Sequence, residues 1–132
     1  MKFDFTDAWI LHSIHFQESG NSGTELRKII SYADYVNHAI ITYPEFVTSI
    51  LKLVSIGIVK QQNKTLATTE VFKQWWDNQY TRKKNIPVLE IIHQVEQYLN
   101  LNFKNSDLSA SIKEIQITEE EFIKAVDIYL NH

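Results

Sequence analysis

Apolar residues recur along this chain at helical spacing through most of its length and at alternate positions in one short stretch. Trp9, Ile10, Leu11, Ile14 and Phe16 leave only a narrow polar strip on a first helix, which Thr6 or Asp7 can cap, so that helix is expected to be mostly buried. Gly20-Asn21-Ser22-Gly23 then breaks the chain. Ser22 with Glu25 three residues on matches the capping-box spacing for a second helix, whose inward stripe is Leu26, Ile29, Ile30 and Ala33. Beyond it, Asp34, Asn37 and His38 cap or continue a helical turn, and Ala39-Ile40-Ile41 is expected to plug the core.

Thr42-Tyr43-Pro44-Glu45 is the clearest local signal. Thr42 is a good N-cap, Pro44 fits the first turn where no donor is needed, and Glu45 completes the box. The helix runs on through Phe46, Val47, Ile50, Leu51, Leu53 and Val54 to a stop at Gly57. Its other face carries Glu45, Thr48, Ser49, Lys52 and Ser55. Ile58-Val59-Lys60-Gln61-Gln62 and Thr65-Leu66-Ala67-Thr68 flank Asn63-Lys64 and predict a two-stranded hairpin. Thr68 or Thr69 caps a helix through Val71, Phe72, Trp75 and Trp76, and Pro87 opens another with Val88, Ile91, Ile92, Val95 and Leu99 on one side. Leu108, Ile112 and Ile115 fit helical spacing, while Ile115 and Ile117 also fit strand alternation. Thr118 with Glu121 is again a capping box, leading a last helix of Phe122, Ile123, Val126, Tyr129 and Leu130.

The chain has 132 residues, 44% apolar and 22% charged, which is the composition and size of one globular domain with a small appendage. The absence of cysteine excludes a disulfide scaffold, a thiolate zinc site and a cysteine nucleophile. Acidic residues Asp4 and Asp7 stand where a secretory segment would need an apolar run, and no stretch approaches the roughly 20 apolar residues of a membrane span. A cytoplasmic protein without membrane contact is the expectation.

The net charge of -3 is unevenly spread. Between Lys52 and Lys84, seven bases (Lys52, Lys60, Lys64, Lys73, Arg82, Lys83, Lys84) face two acids (Glu70, Asp77), whereas from Glu90 onward eight acids face three bases. Two readings fit this pattern, a pair of solvated faces or a middle that faces a polyanion with a tail that faces elsewhere.

The order helix, helix, helix, Gly stop, hairpin, helix over residues 6 to about 80 resembles a winged-helix domain of the MarR-like and PadR-like bacterial regulators. The residues that carry the likeness are Leu51, Leu53 and Val54 on the third helix, the exit Gly57-Ile58-Val59, and the returning strand Leu66-Ala67-Thr68. The stretch Asn37-His38-Ala39-Ile40-Ile41-Thr42 is also similar to one found in a group of small bacterial proteins to which no activity attaches. The resemblance implies a mainly α fold with a small β-hairpin, a winged helix-turn-helix over residues 1–85, and a C-terminal helical extension over 86–132 that serves as a dimerisation element. It further implies a homodimeric DNA-binding transcription regulator. The recognition helix would be 43–56, with Tyr43, Thr48, Ser49 and Lys52 toward double-stranded DNA, and Lys60, Lys64, Arg82, Lys83 and Lys84 toward phosphates.

The residues themselves point to an alternative. Tyr43, Glu45, Thr48, Ser49 and Lys52 are poor in the Arg, Asn and Gln groups that read bases. The link over residues 33–42 is longer than the roughly three or four residues of a tight helix-turn-helix. A pI of about 5.9 is acidic for a dedicated nucleic-acid binder. The alternative is a winged-helix protein-protein interaction module that does not bind DNA. By the winged-helix resemblance, helices 70–81, 87–100 and 119–130 are candidate dimer elements, with packing inside one subunit the equal alternative; Trp75 and Trp76 are adjacent on a helix and unable both to point inward.

Other constellations have structural readings. His12 and His15 lie three apart on an apolar helix and are expected as core or boundary residues, with no metal site. Asp34, Asn37 and His38 serve capping and core hydrogen bonds, and His93 pairs with Glu90 or Glu96 on a helix surface. With no phosphate loop, nucleophile elbow or His-Glu-x-x-His motif, no enzymatic activity and no cofactor are expected.

Overall fold

The computed structural model describes residues 1–18, 23–81, 85–108 and 115–131. In chain order these form α1 (Phe5–Gln17), β1 (Thr24–Glu25), α2 (Leu26–Asn37), α3 (Tyr43–Ser55), β2 (Val59–Gln62), β3 (Thr65–Thr68), α4 (Glu70–Tyr80), α5 (Val88–Phe103) and α6 (Glu119–Leu130). The fold is mainly helical with a small antiparallel sheet in the order β1-β3-β2, a winged-helix-like arrangement. The predicted hairpin forms in the register Val59↔Thr68 to Gln62↔Thr65, with Asn63 in the left-handed conformation that Asn tolerates at a tight turn. Sequence alone did not find β1, because a two-residue strand exists only through its pairing with Leu66 and Thr65 of β3.

Local signals explain most helix ends. Both bonds of the Thr42–Glu45 box form, as do those of Thr118–Glu121. At the end of α3, Gly57 adopts φ 74°. Its N–H donates to Val54 O at 3.1 Å and the Ile58 N–H to Leu53 O at 3.0 Å, the pair of bonds that satisfies the last carbonyls of a helix stopped by glycine. Two starts differ from the expectation. The cap of α1 is Asp4, which exchanges bonds with Asp7 in a box that uses aspartate where Glu or Gln is usual. The cap of α2 is Glu25, and Ser22 lies outside the described residues.

α1 is the axis of the domain. Packed by α2, α3, α5 and β3, it buries Ala8, Ile10, Leu11 and Ile14 completely, which is why its apolar residues occupy nearly all sides. Phe16 is the exception at 59% exposed, with one ring face on Tyr32 of α2 and the rest open to solvent. Ile29 and Ile30 from α2, Phe46, Ile50 and Leu53 from α3, Phe72 from α4, and Ile92, Val95 and Leu99 from α5 close the core around it. Of the expected plug, only Ile41 is buried; Ala39 is exposed, because His38 ends α2 in a left-handed turn. Ile117 is buried in a bend before α6 and belongs to no strand. α5 and α6 pack directly on the winged-helix elements, α5 on α1 and α6 on α2 and α3. No helix among the described residues is long and apolar enough to cross a membrane.

Candidate functional site

The tip of α3 and the hairpin are the surfaces a winged helix would offer to a duplex, and the residues expected there have divergent fates. Thr48 and Lys60 are exposed. Ser49 is not on the surface: it is 1% exposed, and its Oγ donates to Asp7 Oδ1 at 2.7 Å. It falls one residue past Thr48, on the side of α3 that faces α1, so its assignment to the groove is corrected. Lys52 lies along the same seam. Its ammonium donates to Asp7 Oδ2 at 2.8 Å and to Lys2 O at 2.9 Å, with the Phe3 ring 5.7 Å beneath it.

The other two are held by α6. Tyr43 donates its hydroxyl to Ile117 O at 3.3 Å and packs its ring 5.5 Å from that of Phe122. Lys64, on the turn of the hairpin, reaches Glu121 Oε1 at 2.9 Å and Gln116 O at 2.8 Å. The Thr118 backbone N–H and the Lys64 ammonium together bring the Glu121 carboxyl down to about 2, so it stays an anion at every physiological pH. A third tie joins the same segments, the Gln116 N–H donating to Gln61 Oε1 at 2.8 Å. Arg82, Lys83 and Lys84 lie outside the described residues.

A second polar centre joins α1 to the hairpin and α4. The Glu18 carboxylate accepts from the Thr68 N–H and hydroxyl at 3.0 and 2.8 Å and from Lys73 Nζ at 2.9 Å. Burial opposes its ionisation, but these donors outweigh burial and hold the carboxyl below its usual range. His15 Nδ1 is 3.1 Å from Thr68 Oγ1, and burial first, then the Lys73 charge, pushes its imidazole down. His12 sits deeper, against Tyr32, Phe16 and Trp76, and burial followed by His15 lowers it to about 4. Both histidines are core or boundary groups, as their apolar helix implied. Trp75 and Trp76 are each half-buried, Trp75 stacked on Tyr98 at 4.3 Å. Asp34 accepts from the Tyr129 hydroxyl at 2.6 Å, and His93 makes the surface pair with Glu96 at 3.7 Å.

Asp7 organises the α1–α3 seam, although the sequence offered it only as a candidate cap of the first helix. Glu18 and Lys73 lie 55 positions apart and no local pattern links them. Compared with protein-family models, characterised proteins and solved structures, the chain matches none.

Proposed function

We propose that this chain is a winged-helix protein-interaction module that docks a second copy of itself rather than duplex DNA. The observation that carries this reading is the seat of α6: Tyr43 and Lys64, two groups a duplex would need, are engaged by Ile117, Phe122, Gln116 and Glu121. Glu119, Glu120 and Glu121 form the first turn of that helix, and their charge repels the phosphates of a duplex laid along the hairpin. Leu89 and Leu101 of α5 and Ile123 and Leu130 of α6 stand exposed, Leu101 at 80%. Such side chains favour an apolar contact that survives high salt.

A homodimeric DNA-binding regulator is the second reading, favoured by the winged-helix-like topology and by the exposure of Thr48 and Lys60. Fluorescence anisotropy of a labelled random-sequence duplex, at low and near-physiological salt, separates the two. The interaction module leaves anisotropy unchanged at both. Binding on the order of micromolar that weakens steeply with salt, and that Lys60→Glu with Lys64→Glu abolishes, would establish the regulator instead.

A further inference from the structure

A cleft of about 400 Å³ opens beside the end of α1, the outer side of α2 and the end of α6, a volume within the range of small-molecule sites. Two kinds of group line it. Arg27 and Lys28 are exposed cations, and neither forms an ion pair with any described residue. Tyr32, Tyr35 and Tyr129 contribute rings.

Two of these rings, Tyr32 and Tyr35, belong to a ladder that begins in the core. Trp76 lies 5.6 Å from His12, His12 lies 5.6 Å from Tyr32, and Tyr32 lies 4.7 Å from Phe16 with the planes only 9° apart. Tyr35 follows at 6.4 Å from Tyr32. Its outer members are held in water, Tyr35 at 77% exposed and Phe16 at 59%. Large rings so placed gain little from the protein's own packing, whereas a planar ligand stacked on them would cover apolar area and extend the ladder by one step.

The cations and rings share one helix. Lys28, Tyr32 and Tyr35 follow one another at four and then three residues, which places them along one side of α2, with Arg27 and Ser31 adjoining. From Lys28 to Tyr35 the axial rise is about 10 Å, a length that a nucleoside triphosphate spans between base and terminal phosphate. The nearby Asp34 carboxylate is already bonded to the Tyr129 hydroxyl.

We infer that this cleft binds a nucleoside triphosphate, its base stacked on Tyr35 and its phosphates between Arg27 and Lys28. Ser31 and Gln17 supply hydroxyl and amide groups at the cleft wall for the sugar. The inference is independent of the docking reading, because it concerns a small ligand on α2 and makes no use of the α3 tip.

Isothermal titration calorimetry of the full chain tests it, with ATP as the probe and adenosine and tripolyphosphate as its two halves. ATP is expected to bind with a dissociation constant on the order of 100 μM or tighter, and each half at least about tenfold more weakly. Tyr35→Ala and the pair Arg27→Glu with Lys28→Glu should each weaken ATP binding by about tenfold or more, while Tyr35→Phe, which keeps the ring, retains it. All these positions are exposed, so thermal melts of the variants should match the parent. No heat with ATP at millimolar concentration overturns the inference. So does tripolyphosphate or adenosine binding as tightly as ATP, or ATP affinity that the variants leave unmoved. A single-stranded oligonucleotide that binds where ATP does not overturns the mononucleotide assignment as well.

Discussion

Lys52 and Asp7, forty-five residues apart in sequence, meet at 2.8 Å across the seam between α3 and α1, where the Asp7 carboxylate is 1% exposed. The same carboxylate accepts from Ser49 Oγ and, through its other oxygen, from the Asp4 N–H. A buried charge so fully partnered is costly to remove, because its partners remain. Asp7→Ala should destabilise the protein by about 2 to 4 kcal/mol, read as a lowered urea midpoint with the slope unchanged.

Acid should loosen the protein through His12. Its imidazole is lowered to about 4 in the fold and returns to its ordinary value of about 6.5 on unfolding. Between these values the unfolded chain binds the extra proton, so stability is intact above about pH 6.5 and falls as the pH drops toward 4. The loss amounts to about 3 kcal/mol, and His15 adds to it in the same direction. Stability measured against pH should be distinctly flatter in His12→Phe; an equally steep profile would place the proton elsewhere.

The seat of α6 depends on Phe122, which is 2% exposed and lies 5.3 Å from the Phe46 ring as well as 5.5 Å from Tyr43. Phe122→Ala should cost about 3 to 5 kcal/mol and raise the rate of limited proteolysis within α6. Lys64→Ala should leave the melting temperature nearly unchanged, since its pair with Glu121 is exposed to solvent.

Two glycines should respond differently to alanine. Gly57 has φ 74° with open space where a Cβ would stand, so Gly57→Ala should cost only the left-handed strain, about 1 kcal/mol. At Gly23, φ 78° coincides with Leu66 O at 3.1 Å and the Thr65 hydroxyl at 3.0 Å from that Cβ. Gly23→Ala should therefore melt at the lower temperature of the two and loosen the pairing of β1 with β3.

Self-association through the outer apolar positions predicts that light scattering finds a dimer at both low and high salt. Leu101→Glu places a charge at the most exposed of them and should yield the monomer. A parent chain that is monomeric at micromolar concentration would remove the second copy as the partner.

Much of the fold was legible because its signals are local. The boxes Thr42–Glu45 and Thr118–Glu121, the Gly57 stop and the alternation around Asn63 each concern residues within a few positions, and each appears where the spacing put it. The candidate site was much less legible. Whether Ser49 faces solvent or Asp7 is decided by the rotation of α3 against α1, a difference of one position on the helix, and Lys64 meets Glu121 across 57 residues of sequence. The charge count marked Lys64 as available for a polyanion and the winged-helix likeness set Ser49 toward the groove; packing had already partnered both.

The way Asn100 holds the other end of the chain bears on how the protein is made. Its side-chain oxygen accepts from the Phe3 N–H and its amide donates to Phe3 O, both at 2.9 Å, while Ile92, Val95 and Leu99 of the same helix complete the wall around α1. The seat of α1 is thus finished by residues that lie about ninety positions further along the chain. A nascent chain must carry α1 without these partners until α5 has been made, and folding awaits contacts of high sequence separation. Fragments ending before Ile86 should accordingly be held by chaperones or degraded rather than accumulate as a free-standing winged helix.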